Sequence, residues 1–428
     1  MTPDSGSSGG HAIAFVVQPY HRGGVTRWMV DAAVEWARRG DRVWFVCPSP
    51  QRPFRSAGTQ PPLLTVLDAA DPEGRIRRAT VPVGAHYELG TEQYRASVML
   101  DLLHRHVPEG ATVVLSDEAA VWRAGEAVAD RYRVVGVLHA DDEHYYRLAA
   151  RYGDELSALV GVSERIGRHA SERLGWPLER LARIPCGIPI PPRGAHMRRP
   201  GTARLIWVGR IEQRQKRALD LPALLLRVRQ LGFDATLDIV GDGPDALPLR
   251  EAVRTSGVEA HVQWHGWRKT TEVVDLLNRA DVLLLPSNFE GMPIAVMEAL
   301  ASGCGVVATA VSGLEDYTEH PLAAQCYHTY PVGDLDTAAA EIVELLRVPP
   351  AEREMRARRF AEQEFSIERC IDRYANLPLG TLRGDISGRA PGARAGLAAL
   401  ASLPVSTVRR VRAWWHDFRT RSLAQGRA

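Results

Sequence analysis

The sequence predicts an α/β protein built from two doubly wound, parallel-sheet domains. Short apolar, β-branched runs alternate with segments of helical spacing along most of the chain. The alternation breaks at one stretch rich in Pro, Gly and Arg and then restarts. The 428 residues are too many for one ordinary core and suit two domains of roughly 150 to 200 residues each.

The elements follow in order. AIAFVVQ from Ala12 reads as a strand, His21 to Gly24 as a Gly-containing turn, and VTRWMVDAAVEWARRG as a helix ending at Gly40. DRVWFVCP, ATVVLS, YRVVGVLH and LSALVGVS supply further strands, separated by helical segments. Gln51 to Gly90 is less regular, with several Pro and Gly, and is read as loops that shape an acceptor pocket rather than as elements. GIPIPPRGAHMRRPG, Gly187 to Gly201, can continue neither a helix nor a central strand and reads as a linker. Beyond it come ARLIWVGR, a helix around Leu219 to Leu231, then ATLDIVG, HVQWHG, DVLLLP and GVVATA as strands. Unbroken apolar runs such as Val282 to Leu285 are what parallel strands covered on both faces require. Two or three amphipathic helices between about Thr337 and Leu377 close the body.

Composition excludes several classes. Hydrophobic residues at 45% and charged residues at 24% are ordinary for a globular chain. A formal charge of +2, from 53 basic and 51 acidic side chains, gives no whole-molecule field for nucleic acid. Cys47, Cys186, Cys304, Cys326 and Cys370 lack the spacing of a zinc cage or a disulfide framework, which fits a reducing cytoplasm. The start MTPDSGSSGG has no apolar stretch behind a positive charge, and no run of about 18 apolar residues occurs, so neither export nor membrane spanning is expected.

The richest segment is Asn288 to Glu298, NFEGMPIAVME, after an apolar strand. With Pro293 in the first helical turn, Glu298 lies inside the helix and Glu290 on the loop before it, so both face one ligand. The helix N-terminus, with its unpaired amides and partial positive charge, suits a diphosphate. Carboxylates suit sugar hydroxyls, through charge-assisted hydrogen bonds. The loop Val208 to Lys216 places Arg210 and Lys216 at the carboxyl edge of the second sheet, where two cations can neutralise a departing diphosphate without a protein-bound metal. Gly23 and Gly24 lack a Cβ and let backbone amides approach a phosphate from the opposite domain. Gly241 to Ala246 matches G-x-G-x-x-A, yet no acid ends the next strand, so it is read as a turn and a dehydrogenase is rejected. Asp141, Asp142, Glu143 and His144 read as a helix start rather than a metal cluster, and no metal site is expected.

The series formed by Gly23-Gly24, His139 at the end of VGVLHAD, GR with Lys216 six residues on, IVGDGP and FEGMPIAVMEALASG resembles the retaining glycosyltransferases of the GT-B fold, family 4, from about His11 to Leu377. That resemblance implies two Rossmann-like domains facing across a cleft, with 1–187 binding acceptor, 188–201 linking, 202–365 binding a nucleotide sugar and 366–382 returning to the first domain. It implies hexosyl transfer from a UDP- or GDP-sugar to a hydroxyl of a glycan, lipid-linked or small-molecule acceptor, with the nucleotide sugar as substrate and no cofactor. Arg210 and Lys216 would hold the diphosphate, Glu298 the ribose and Glu290 the transferred sugar, the amides of Gly291, Met292 and Ile294 assisting, with His139 near that sugar and Gly23 or Gly24 facing the diphosphate. The family often has Gly where this chain has Pro293, which removes one amide donor. Net retention is implied, the leaving phosphate oxygen taking the acceptor's proton. The rivals are a sugar-nucleotide epimerase of the same fold and an inactive sugar-nucleotide binder.

The remaining 383–428 are a basic tail. Val408, Val411, Trp415 and Phe418 form one helical stripe flanked by arginines, a pattern for peripheral contact of 404–421 with an anionic membrane face or for packing on a protein surface.

Overall fold

The computed structural model describes residues 11–20, 23–51, 62–178, 181–192 and 201–378. Most of the linker, His21 of the first turn and the whole 383–428 tail with its amphipathic stripe lie outside these residues.

The first sheet contains β1 (Ala12–Val16), β2 (Arg42–Pro50), β3 (Arg77–Val83), β4 (Thr112–Leu115), β5 (Arg133–Leu138), β6 (Ala158–Gly161) and β7 (Leu181–Arg183). Their spatial order is β3-β2-β1-β4-β5-β6-β7, every neighbouring pair parallel. The second sheet contains β8 (Ala203–Val208), β9 (Ala235–Val240), β10 (Val262–Gly266), β11 (Val282–Leu285), β12 (Gly305–Thr309) and β13 (Tyr327–Tyr330), ordered β10-β9-β8-β11-β12-β13 and again wholly parallel. The central strands are buried along their length, as continuous apolar runs between two helical layers must be. In each sheet the chain order reverses beside the first strand, between β1 and β4 and between β8 and β11. Ligands of open α/β sheets bind at the carboxyl ends of strands at such a reversal. The loop Val208 to Lys216 follows β8 and the loop to Pro293 follows β11, so both motif loops flank the second reversal.

The stretch Gln51 to Gly90, read above as loops, holds β3 and the helices Leu63–Ala70 and Ala85–Glu88. β3 reads RRATVPV and is an edge strand, buried chiefly at Ala79 and Val83. Its Pro82 is tolerable at an edge, and Arg77 lies 4.7 Å from the Trp44 ring centroid. Two other strands escaped the sequence reading, the three-residue β7 and the polar β13, YHTY, at the far edge of the second sheet.

Three helices close the body, Leu335–Arg347, Pro350–Glu364 and Ile367–Ala375. Fully buried Arg353 donates to Asp281 at 2.6 Å and to the Leu345 carbonyl at 2.9 Å, tying the middle helix to the start of β11. The last helix packs against Gly24–Arg38 of the first half: Tyr374 lies 5.6 Å from Trp28 and 6.0 Å from Trp36 by ring centroids, and Arg39 bonds Asp372 at 2.6 Å. Ile188 exchanges backbone hydrogen bonds with Phe365 and Ile367, both at 2.8 Å. All five cysteines are buried free thiols. No helix among the described residues is long and apolar enough to cross a membrane.

Candidate functional site

Backbone contacts brace the loop after β8. A Cβ on Gly241, whose φ is +138°, would lie 1.8 Å from the Gly209 carbonyl oxygen, and one on Gly243 would lie 2.3 Å from that of Ile211. Ile211 donates its amide to Asp242 at 2.9 Å, and the Asp245 carboxylate accepts from Gln213 at 2.7 Å. The G-x-G-x-x-A match is therefore a turn that lets two loops touch. Its consequence is to fix the helical turn Gln213–Lys216, so that Lys216 sits on a turn rather than in open loop.

The loop after β11 is locked onto this turn by Asn288, which donates its amide to Gln215 and its side chain to the Arg214 carbonyl, both at 2.8 Å. Lys216 Nζ then donates to Glu290 Oε1 at 2.7 Å, and Ser287 Oγ donates to the same oxygen at 2.5 Å. Glu290 is 4% exposed, whereas the Lys216 side chain is 17% exposed, so in this ion pair the carboxylate is buried and the ammonium keeps partial contact with water. Arg210 does not join it. Its side chain is 64% exposed and its guanidinium is held by Glu212, so the structure brings one of the two expected cations to the carboxylate.

Pro293 is the N-cap of the helix Ile294–Ala301 rather than a first-turn residue, with Glu290 on the loop and Glu298 within the helix as expected. Burial pushes the Glu298 carboxyl up to about 7; Arg27 opposes that shift and Asp31 adds to it. Arg27 bonds Asp31 at 2.7 Å on its own helix and reaches across to Thr270 of the second half. The sequence reading passed over Arg27 as one residue of an amphipathic helix. Its signal was a cation one turn beyond the glycine pair. Ser287, adjacent to the motif, was also missed.

The two halves meet at the start of this helix. Gly23 is the N-cap of Gly24–Arg38 with φ +79°, and a Cβ on Gly24 would lie 3.3 Å from Ile294 Cγ1. Gly291 forms an antiparallel bridge with Ala140, and a Cβ on it would lie 1.6 Å from the His139 carbonyl oxygen. Met292 is buried beside it. Gly313, at φ +79°, packs on the other side: a Cβ there would lie 1.6 Å from the Gly291 carbonyl oxygen. No residue with a side chain fits at either position without parting the loops.

His139 is 7% exposed, its ring edge-on to Trp28 at 5.3 Å and to Tyr145 at 6.2 Å. Nδ1 lies 3.9 Å from Cys186 Sγ, and the buried Nε2 has no protein partner. Burial pushes its pKa down to about 3, so the ring is neutral at physiological pH. Beyond it Asp142 caps the helix Glu143–Tyr152, accepting from the His144 amide at 2.8 Å, and Asp141 accepts from Tyr146 at 2.5 Å and His169 at 2.9 Å. These acids are engaged as a helix start and a side-chain clamp.

Residues 22–190 match the model described as Glycosyltransferase Family 4 and residues 202–347 that described as Glycosyl transferases group 1. The chain is 30% identical over 158 residues to N-acetyl-alpha-D-glucosaminyl L-malate synthase of Bacillus anthracis, covering 36% of this chain and 40% of that protein. It is 29% identical over 235 residues to glycogen synthase of Mycobacterium tuberculosis, covering 54% and 56%. The chain thus spans about half the length of these curated relatives. The crystal structure of Anabaena Alr3699/HepE in complex with UDP and glucose superimposes with a TM-score of 0.64 at 17% identity, covering 85% of this chain and 98% of that one. At that identity the likeness establishes the two-domain GT-B fold.

Proposed function

The chain belongs to glycosyltransferase family 4, with its second half a group 1 glycosyl transferase domain, and on that premise we propose that it moves a hexosyl group from a UDP- or GDP-sugar to a hydroxyl acceptor in the synthesis of a cell-surface glycan or glycoconjugate. One observation carries the reading: Gly24, the His139 carbonyl and the Lys216–Glu290 pair are gathered around the first residues of the helix Ile294–Ala301. A helix start with a half-buried lysine suits a diphosphate, and a carboxylate beside it suits sugar hydroxyls. The likeness to HepE, crystallised with UDP and glucose, makes UDP-glucose the first donor to try.

In this reading Lys216 meets the β-phosphate charge, Glu290 accepts from sugar hydroxyls, Glu298 accepts from the ribose and the neutral His139 turns Nε2 toward the sugar. Arg210 would leave Glu212 to reach the diphosphate. Positioning and charge stabilisation then carry catalysis without a bound metal, and the departing phosphate oxygen takes the acceptor proton, with retention at the anomeric carbon. The likeness to colanic acid and lipopolysaccharide glycosyltransferases supports the glycan class of product. Purified chain incubated with UDP-glucose, UDP-galactose, UDP-N-acetylglucosamine and GDP-mannose tests it: release of UDP or GDP from at least one is expected, unaffected by EDTA. Thermal stabilisation by UDP or GDP without release from any sugar would instead indicate a binding protein.

A further inference from the structure

The contact between Gly291 and Ala140 does not stand alone. It lies within a seam of side chains that join the two halves and that no part of the donor reading uses. Asp141, the next residue after Ala140, turns its amide toward the Glu290 carbonyl at 3.5 Å. Its carboxylate is gripped by Tyr146 at 2.5 Å, by His169 at 2.9 Å and by Arg165 at 3.3 Å. Arg165 also bonds Glu315 at 3.0 Å, on the loop after β12 in the second half. On that same loop Ser312 shares a buried hydrogen bond with Ser163 at 3.0 Å, one residue before the Gly313 that packs on Gly291. The Glu164 amide donates to Asp316 at 2.8 Å. The backbone of Glu290 and Gly291 is therefore enclosed between the loop after β5 and the loop after β12, and Arg165 bonds both.

We propose that Asp141 and Arg165 are positioning residues, which through Glu315 seat the Glu290–Gly291 backbone against His139 and so fix where the transferred sugar is held. Neither side chain is placed on the donor, so each acts through Glu290. The arrangement needs a planar, bidentate cation at position 165, because one guanidinium must bond two carboxylates from different loops. A displacement of about 1 Å at a reacting centre can cost on the order of a hundredfold in rate, so loosening this clamp should appear in turnover before it appears in nucleotide binding.

The inference rests on the transfer reading above, and the test separates the two. In the full chain, Arg165→Met, Arg165→Lys, Glu315→Gln and the double variant Arg165→Met/Glu315→Gln are compared for kcat, donor KM, UDP affinity and amide hydrogen exchange over 288–292. Expected for Arg165→Met is a fall in kcat of about tenfold or more, donor KM and UDP affinity within about threefold of wild type, and faster exchange over 288–292. Arg165→Lys recovers part of the rate, and the double variant is no slower than Arg165→Met, since both remove one link. Wild-type kcat in Arg165→Met, or unchanged exchange over 288–292, overturns the clamp. An inactive wild type whose exchange still responds to Arg165→Met removes the transfer reading and leaves the clamp.

Discussion

The ion pair of Lys216 and Glu290 is the perturbation most sharply defined by the structure. At 2.7 Å the gross attraction is about 6 kcal/mol at an effective dielectric of about 20, and desolvation offsets most of it. The net value shows when one partner is removed. Lys216→Met leaves Glu290, 4% exposed, with Ser287 as its remaining side-chain donor, and should cost roughly 3 to 5 kcal/mol. Glu290→Gln should cost less, roughly 1 to 3 kcal/mol, because the amide oxygen still accepts and the lysine reaches water.

The double variant Lys216→Met/Glu290→Gln removes both charges, so its cost should fall short of the sum of the singles by about 1 to 3 kcal/mol. Urea unfolding followed by fluorescence measures this, because tryptophans lie in both halves of the chain. Donor turnover should fall about a hundredfold or more in all three variants, since the cation and the acid have separate tasks. The alanine variants that the motif alone would recommend confound catalysis with stability. The double variant, which leaves no unpaired charge at the pair, separates them. Single variants within about 1 kcal/mol of wild type, or strictly additive costs, would refute the buried-pair argument, and a double variant with wild-type turnover would refute the site.

Three further outcomes follow. Gly24→Ala places a Cβ 3.3 Å from Ile294 Cγ1 in a helical residue of ordinary φ, so thermal stability should stay level or rise by up to about 1 kcal/mol while UDP affinity drops in titration calorimetry; unchanged affinity would remove this glycine from the donor site. Glu298, held at about 7 against an ordinary 4.5, binds protons more tightly folded than unfolded. Its contribution to stability is full below about pH 4.5 and is lost as pH rises to about 7, by at most about 3 kcal/mol, while UDP affinity, needing the ionised carboxylate, should rise over the same range and become flat in Glu298→Gln. His139, at about 3 against 6.5, works the other way. Its contribution is full above pH 6.5 and is lost as pH falls toward 3, by at most about 5 kcal/mol, and His139→Gln should blunt acid unfolding in a circular dichroism titration.

How much of this was legible in the sequence depends on where each residue's partners lie. The central strands announced themselves because burial on two faces demands unbroken apolar runs, as in Val282 to Leu285. The edge strands β3 and β13 did not, since an edge needs one covered face and tolerates Arg, Pro and His. Glu290, Lys216 and the glycines were readable because their local pattern, loop after strand and helix after loop, already implies a ligand. Arg27 and Asp141 were opaque because their meaning comes from residues far along the chain, Arg27 with Thr270 and Asp141 with Glu290. For Arg210 the sequence gives its proximity to Lys216 but not its attachment to Glu212, two residues on.

That Lys216 and Glu290 already satisfy each other limits which ligands the site rewards. A diphosphate that draws Lys216 away leaves Glu290 buried with Ser287 as its remaining side-chain donor, and an underpaired buried carboxylate costs several kcal/mol. A ligand that brings the diphosphate and, beside it, hydroxyl donors supplies both partners at once. UDP-sugar should therefore bind more tightly than UDP, by about tenfold for each 1.4 kcal/mol that the hydroxyls restore. In Glu290→Gln the penalty for losing the lysine disappears and the two affinities should converge. Calorimetry with UDP and the accepted UDP-sugar, in wild type and Glu290→Gln, measures both differences; equal affinities in wild type would mean that the carboxylate does not face the sugar.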